Sequence, residues 1–292
     1  YWGNGFTVYW NVYDGKMIKS GIKLLLLFLC CSYSGVAQQV DLSDKTGIMV
    51  IHDCDKPRSE KEALLILSGF GDSRKGRKHQ KAYFDTVGYD MYLPFYLDSK
   101  SYESTYNLFE TYHAIKKLNE YKKLHVFSYL LGSWVINTFI NKNGYGNIET
   151  IVYDRSPLQE RAPAVVVEKI PFLGRIVVGK VVKEFSEIPY PPLEQRHLKI
   201  GVIIESKATF LVRTFKKTAM SYGPIDWENP PINQEYDDLI YTRLNHDEMY
   251  ITFDEIGADV MHFIRHGKFS ETARRKAFDW DPMEKYKKPK DN

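Results

Sequence analysis

The chain has 292 residues, of which 43% are hydrophobic and 26% charged, and its formal net charge is +3. This composition is typical of a globular protein and excludes a disordered or fibrous chain, while so small a charge gives no reason to expect nucleic acid as a partner. The sequence contains no CxxC pair, no HExxH motif and no G-x-G-x-x-G loop, so we expect neither a metal site nor a cofactor.

The first informative segment is 17–37, MIKSGIKLLLLFLCCSYSGVA, which combines two lysines, a short apolar run and small residues near its end. This pattern predicts a secretory signal peptide cleaved after Ala37, and hence a periplasmic or secreted protein. A lipoprotein anchor at Cys30 or Cys31 fits less well, because the bulky Leu29 precedes the first and another cysteine precedes the second. The apolar run is shorter than the ~20 residues that a membrane span needs, so we expect no transmembrane span in the mature chain.

Residues 1–16 precede a plausible start methionine and are interpreted as an upstream extension. The basic segment 285–292 is interpreted as a disordered tail. Residues 38–284 are then expected to form a single domain. Its oligomeric state is left open by the sequence.

Apolar runs within this domain predict strands that alternate with helices. In chain order, the predicted strands lie within 63–73, 88–96, 124–129, 148–154, 199–206 and 239–245, and the predicted helices at 105–120, 132–143 and 258–269. Such alternation indicates a three-layer α/β/α fold with a mostly parallel sheet. Ligands of such folds bind beyond the carboxyl ends of the strands.

The segment 157–198 interrupts the alternation with about forty residues that contain several prolines and helix-length apolar stretches. We expect a small helical cap inserted between two strands. It either packs on the core as a plain helical excursion or forms a lid that shapes an apolar pocket.

The stretch HVFSYLLGSW, 125–134, resembles the nucleophile elbow of the α/β-hydrolase superfamily, where small residues flank the nucleophile at a strained strand-to-helix turn. With Leu130 at the nucleophile position the flanking residues, Ser128 and Gly132, are both small. With Ser128 at that position they are the bulky Val126 and Leu130. The first register fits the sterics better and leaves the elbow without a nucleophile, because leucine cannot form an acyl-enzyme.

The resemblance, which covers about residues 60–269, also implies the other site residues. The oxyanion hole would come from Gly69, Phe70 and Gly71 after the 63–67 run, together with Leu131. The histidine would be His246, after the last strand. The acid would be Glu205 or Asp154, each at the end of a strand.

Two hypotheses for function follow from the resemblance. The first is a non-catalytic or catalytically altered protein that binds a small apolar or acyl-bearing ligand. The second is an active esterase or lipase-like hydrolase of ester substrates, with Ser128 or Ser133 as nucleophile beside His246 and Glu205 or Asp154. The first hypothesis predicts that no serine hydroxyl lies within hydrogen-bond reach of His246. A nucleotide-binding protein is a third, weaker interpretation of SGFGDSRKG, 68–76.

Overall fold

The computed structural model describes residues 39–41, 43–169, 180–194 and 197–284. The predicted extension 1–16, signal peptide 17–37 and tail 285–292 therefore lie outside the described residues, as does part of the predicted cap.

Eight strands form one sheet with the order β1-β2-β4-β3-β5-β6-β7-β8. From β3 onward all neighbours pair in parallel, whereas β2 pairs with β1 and β4 in the antiparallel sense. The strands are β1 Val40–Asp41, β2 Gly47–Ile51, β3 Glu62–Leu67, β4 Asp90–Pro94, β5 Lys123–Tyr129, β6 Ile148–Arg155, β7 Lys199–Glu205 and β8 Asp238–Thr242.

Helices follow most of the parallel strands. They are α1 Arg74–Phe84, α2 Tyr102–Ile115, α3 Leu130–Asn143, α4 Ala162–Lys169, α5 Lys180–Glu187, α6 Phe210–Thr214, α7 Lys216–Ser221, α8 His246–Ile251 and α9 Asp254–His266. None of the helices in the described part of the chain combines the length and the apolar content that a membrane span requires.

The sheet separates two cores, because successive side chains of a strand point to opposite faces. In β3, Leu65 and Leu67 pack in the core beneath α2 and α3, whereas Leu64 and Ile66 pack in the core that contains apolar side chains of α1, α8 and α9. The predicted three-layer fold with a mostly parallel sheet is confirmed.

Several elements were not expected from the sequence, namely the strands β1 and β2, helix α1 and the short helices α6, α7 and α8. Strands β1 and β2 are short, and α1 has the strongly polar sequence RKGRKHQKAYF, which contains few apolar residues. Helix α1 forms nonetheless: the Ser73 side chain caps its first turn by accepting a hydrogen bond from Gly76 N, and Phe84 is buried beneath it.

The start of α3 also differs from expectation. We expected a strained turn at Leu130 and a helix from Gly132, but Tyr129 is extended and the helix begins at Leu130 itself. The non-glycine residues with positive φ in the described ranges are Asp53 and Lys117, so Leu130 carries no left-handed strain. Gly132 is needed for packing, since a Cβ there would lie 2.6 Å from Leu67 O on β3.

The predicted helical cap between β6 and β7 is confirmed in its described part, which contains α4 and α5. Phe185 of α5 packs edge-on against Trp134 of α3 and against Phe70, with ring centroids 4.7 and 6.0 Å apart. Because both contacts lie beyond the carboxyl ends of β3 and β5, the cap covers the end of the sheet where ligands bind in this fold class.

Candidate active site

His246 is positioned by the first turn of α8. Asn245 caps this helix by accepting hydrogen bonds from Asp247 N and Glu248 N, and the Glu248 side chain accepts one from Asn245 N in return. This capping box fixes the direction in which His246 leaves β8. It also gives the side chain of Glu248 a structural role.

Both ring nitrogens of His246 are engaged. Nε2 lies 2.8 Å from the carbonyl oxygen of Phe70, and Nδ1 lies 2.8 Å from Oε1 of Glu205. A carbonyl oxygen only accepts, so Nε2 carries the proton and donates it to Phe70. In a working triad the arrangement is the reverse: Nδ1 donates to the acid, and the Nε2 lone pair faces the nucleophile.

The predicted acids Glu205 and Asp154 are both brought to the histidine. Glu205 ends β7, and Asp154 on the neighbouring β6 places Oδ2 3.9 Å from Nδ1 of His246. All three side chains are buried. The sequence left the choice of acid open, and the structure places Glu205 in hydrogen-bond contact with the histidine and Asp154 behind it.

Burial controls the protonation of this cluster. It raises the pKa of Glu205 to about 8 and, together with the neighbouring Glu205 carboxyl, raises the pKa of Asp154 well above its usual range. It lowers the pKa of His246. At neutral pH the histidine is therefore uncharged, and the protonated Glu205 carboxyl donates to its Nδ1.

Leu130 stands at the head of α3, directly after β5, and its side chain lines a cavity together with His246. Leu130 and His246 therefore face the same cavity. An isobutyl group there offers neither a lone pair nor a transferable proton.

The two candidate serines do not reach His246. Ser128 and Ser133 are completely buried, and their hydroxyl oxygens lie 3.1 Å from each other in one hydrogen bond. The hydrogen bonds of His246 to described residues go to Glu205 and Phe70. The structure thus joins the serines to each other, between β5 and α3.

The predicted oxyanion loop lies beside the site. Gly69 N donates to the Tyr250 hydroxyl at 2.9 Å, and a Cβ at Gly69 would come within 3.5 Å of Leu131 N, so the loop and the start of α3 are close. Gly71 has φ +107°, which favours glycine. Phe70 has a role that was not predicted: its carbonyl oxygen accepts a hydrogen bond from Nε2 of His246.

Tyr129 and Tyr250 are site residues that the sequence did not reveal. Their rings stack at 4.0 Å, and the Tyr129 hydroxyl accepts a hydrogen bond from Gln80 and donates one to Met249 O. Together they connect β5, α1 and α8 behind the histidine. Tyrosines are frequent in this chain, so composition gave no signal that set these two apart.

The cavity beside His246 has a volume of about 110 Å³. Its described lining is apolar except for two side chains, His246 and Gln159. It combines residues of the sheet end and of the cap: Phe70, Leu130, Gln159, Ala162, Pro163, Val166, Val182, Phe185, Leu211 and His246. An apolar cavity of roughly 150 Å³ is enough to bind benzene, so this one suits a ligand of a few carbon atoms.

A larger cleft of about 670 Å³ opens at the opposite, amino end of the sheet. Two of its lysines are already paired: Lys61 lies 2.7 Å from Asp90, and Lys116 lies 2.7 Å from Asp44. We place the functional site at the smaller cavity, because that cavity adjoins the buried histidine and both carboxyls.

No protein-family model matches the sequence, and no curated protein matches it. Among solved structures, the chain is similar to an alpha/beta hydrolase enzyme from the metagenome of sediments of the Mar Chica lagoon in Morocco. The identity is 12%, the TM-score is 0.45, and the match covers 78% of this chain and 98% of the other. It is also similar to an esterase from Pyrococcus furiosus, with 15% identity, a TM-score of 0.44 and coverage of 80% and 90%.

Such distant similarities carry no statement about activity. The assignment rests on the molecule itself: the strand order with an antiparallel second strand, the glycine-containing loop after β3, the sharp passage from β5 into α3, and the histidine after β8. By this architecture the chain has the fold of the α/β-hydrolase superfamily.

Proposed function

We propose that this chain is an exported α/β-hydrolase-like protein that binds a small apolar or acyl-bearing ligand without transferring an acyl group. The observation that carries the proposal is the side chain of Leu130, which occupies the nucleophile position in a cavity that it shares with His246. Export rests on the signal-peptide pattern of residues 17–37.

Acyl transfer needs a nucleophile with a proton to lose and a base with a free lone pair to take it. Leucine supplies no such proton. The Nε2 atom of His246, which would be the base, already holds a proton and donates it to the Phe70 carbonyl. Two requirements of the reaction are therefore missing at once, and the serines that would replace Leu130 are bonded to each other.

The lining of the cavity supports an apolar ligand. Its walls are aliphatic and aromatic side chains from α3, α4 and α5, and its polar groups are His246 and the Gln159 amide. A few polar groups in an apolar pocket orient a ligand, and an amide suits a carbonyl or ester oxygen. A short acyl chain or a small ester fits this combination.

The direct test of lost acyl chemistry is labelling with a fluorophosphonate, which reacts with activated serines. We expect no labelling of the folded protein, with an active serine esterase as positive control. Labelling at Ser128 or Ser133 that disappears in His246→Ala would overturn the proposal and identify a working esterase.

Binding is tested separately, with methyl acetate, a probe of the size that the cavity admits, and saturation-transfer NMR as readout. Ala162→Phe fills the cavity from α4 and should weaken binding at least tenfold. Ala114→Phe, at an exposed position of α2, is the matched control and should leave it unchanged. Equal binding by both variants would mean that the ligand does not occupy this cavity.

A further inference from the structure

We propose that Asp154, Glu205 and His246 form a binding site for one divalent transition-metal cation, for which Zn²⁺ is the probe. The three side chains come from the ends of β6 and β7 and from the start of α8. One ligand atom from each lies within 4.8 Å of the other two. The inference does not depend on the proposed function, because it concerns these three side chains and not the missing nucleophile.

The histidine has the orientation of a metal ligand. Its Nε2–H donates to the Phe70 carbonyl, which leaves the Nδ1 lone pair directed at the two carboxyls. Metal-binding histidines commonly donate their other ring N–H to a backbone carbonyl or a carboxylate, which fixes the tautomer. Phe70 provides this outer contact, although the orientation disables the histidine as a triad base.

Asp154 lacks the partners that a buried carboxyl requires. Its side chain is completely buried, and among the described residues its oxygens have no hydrogen-bond partner other than the carboxyl group of Glu205, itself an acid. A buried acid without donors is costly. A proton shared with Glu205 would pair one of the two oxygens and leave the second without a partner. A cation held between the carboxyls and Nδ1 can contact both.

The distances and charges suit one ion. Nδ1 of His246 lies 2.8 Å from the Glu205 oxygen and 3.9 Å from the Asp154 oxygen. Ligands that are each ~2.0–2.2 Å from a zinc ion are at most ~4.4 Å apart, so both pairs fall within its span. Two carboxylates balance the charge of a divalent cation.

The ligand set also distinguishes between metals. One imidazole nitrogen with two carboxylates suits Zn²⁺, Mn²⁺ or Fe²⁺, whereas Ca²⁺ prefers six or more oxygen ligands. We therefore expect Zn²⁺ to bind and Ca²⁺ at the same concentration to compete poorly. The ion has a route to the site, since His246 forms part of the cavity wall.

The test is equilibrium dialysis of the EDTA-treated, untagged protein against Zn²⁺, with bound metal measured by mass spectrometry. The wild type should bind one ion that is lost in Asp154→Asn and in Glu205→Gln, each weakening binding more than tenfold. The matched control is His125→Gln, which alters the buried histidine paired with Glu62 and Thr150 on the amino side of the sheet. It should bind like the wild type.

Thermal unfolding and Co²⁺ spectra distinguish the loss of the metal site from the misfolding of a variant. Zn²⁺ should raise the melting temperature of the wild type and of His125→Gln but not of Asp154→Asn. Co²⁺ bound to the wild type should give visible d–d bands of a nitrogen and oxygen site. Zinc binding that persists in Asp154→Asn, a thiolate charge-transfer band, or no bound metal at all would each overturn the proposal.

Discussion

Asp90 and Asp154 are two buried aspartates near opposite ends of one sheet, and their surroundings differ completely. Asp90, at the start of β4, accepts hydrogen bonds from His52 N at 2.8 Å and the Tyr121 hydroxyl at 2.6 Å, and Lys61 lies 2.7 Å away. Asp154, near the end of β6, has no such donor among the described residues. The carboxylate of Asp90 is thus satisfied by donors and a cation. The carboxyl of Asp154 is not, and it lies at the end of the sheet where this fold class binds ligands.

The contrast shows which buried charges stabilise the fold and which are kept at some cost. A paired and hydrogen-bonded carboxylate contributes to stability only while its partners remain. An unpaired one is a cost to stability that a bound ligand, ion or proton can offset. The following experiments test this difference in order of decreasing expected effect.

The largest effect is expected from Lys61→Met. The substitution leaves Asp90 buried without its cation, which should lower the free energy of unfolding by about 3–5 kcal/mol, as measured by urea denaturation. Lys56→Met is the control. The side chain of Lys56 is 58% exposed, and its ammonium group forms a surface ion pair with Asp53 at 3.5 Å. It should change stability by less than about 0.5 kcal/mol. Similar effects of the two substitutions would contradict the structural role of the Asp90 network.

The same substitution at the two aspartates gives the sharpest comparison. In metal-free protein, Asp90→Asn should cost about 2–4 kcal/mol, because it leaves Lys61 largely buried without its counter-charge. Asp154→Asn should cost less than about 1 kcal/mol or increase stability, because an amide replaces an acid that has no donors and can itself donate to Glu205. Equal costs at both positions would show that Asp154 is as well satisfied as Asp90.

A third titratable group, His113, is partly buried beside aromatic side chains. His113 packs against Phe139, with ring centroids 4.6 Å apart, and burial lowers its pKa to about 4, although Glu110 acts in the opposite direction. Its folded pKa lies below the unfolded value of about 6.5, so the unfolded chain binds the proton more readily. This contribution to stability is therefore lost as the pH falls from about 6.5 towards 4.

The expected loss from His113 is about 1–3 kcal/mol over that range. His113→Phe should reduce the acid sensitivity by this amount, measured as the difference in urea midpoints between pH 7 and pH 4.5 for both proteins. Parallel pH profiles of the variant and the wild type would show that the pKa of His113 is not lowered in the folded protein.

The smallest effect is expected when a serine is introduced at position 130. Leu130→Ser places a hydroxyl at the nucleophile position, but it would face a histidine whose Nε2 already donates to Phe70. We expect fluorophosphonate labelling to stay at background, provided that circular dichroism shows a folded variant. Strong labelling at position 130 would mean that the histidine reorients readily and that the leucine alone blocks catalysis.

The fold was largely predictable because its signals are local. Continuous apolar runs such as ALLIL and KIGVIIE are typical of strands covered on both faces, and both form central strands of the parallel sheet. Helix α1 was missed because its stability comes from the Ser73 cap and from a few buried side chains of an otherwise polar sequence. The two short antiparallel strands were missed for a similar reason, since their place depends on pairing: β2 pairs with β4, and β1 pairs with β2.

The site was only partly predictable. The position of each candidate after its strand follows from the rule that ligands bind beyond the carboxyl ends, so His246, Glu205 and Asp154 could be named in advance. The direction of the histidine proton could not, because it depends on the Phe70 carbonyl 176 residues away in the sequence. The bond between Ser128 and Ser133 likewise depends on how α3 starts after β5.

The sequence by itself therefore determined the layered α/β architecture, the cap between two strands, the glycine-containing loop and the leucine directly after β5, because all of these are properties of short segments. Only the tertiary structure decided which acid contacts His246, which of its nitrogens holds the proton and which carboxyl lacks a partner. Those features depend on distances between atoms of different strands, and these distances are set by how the sheet and its helices pack together.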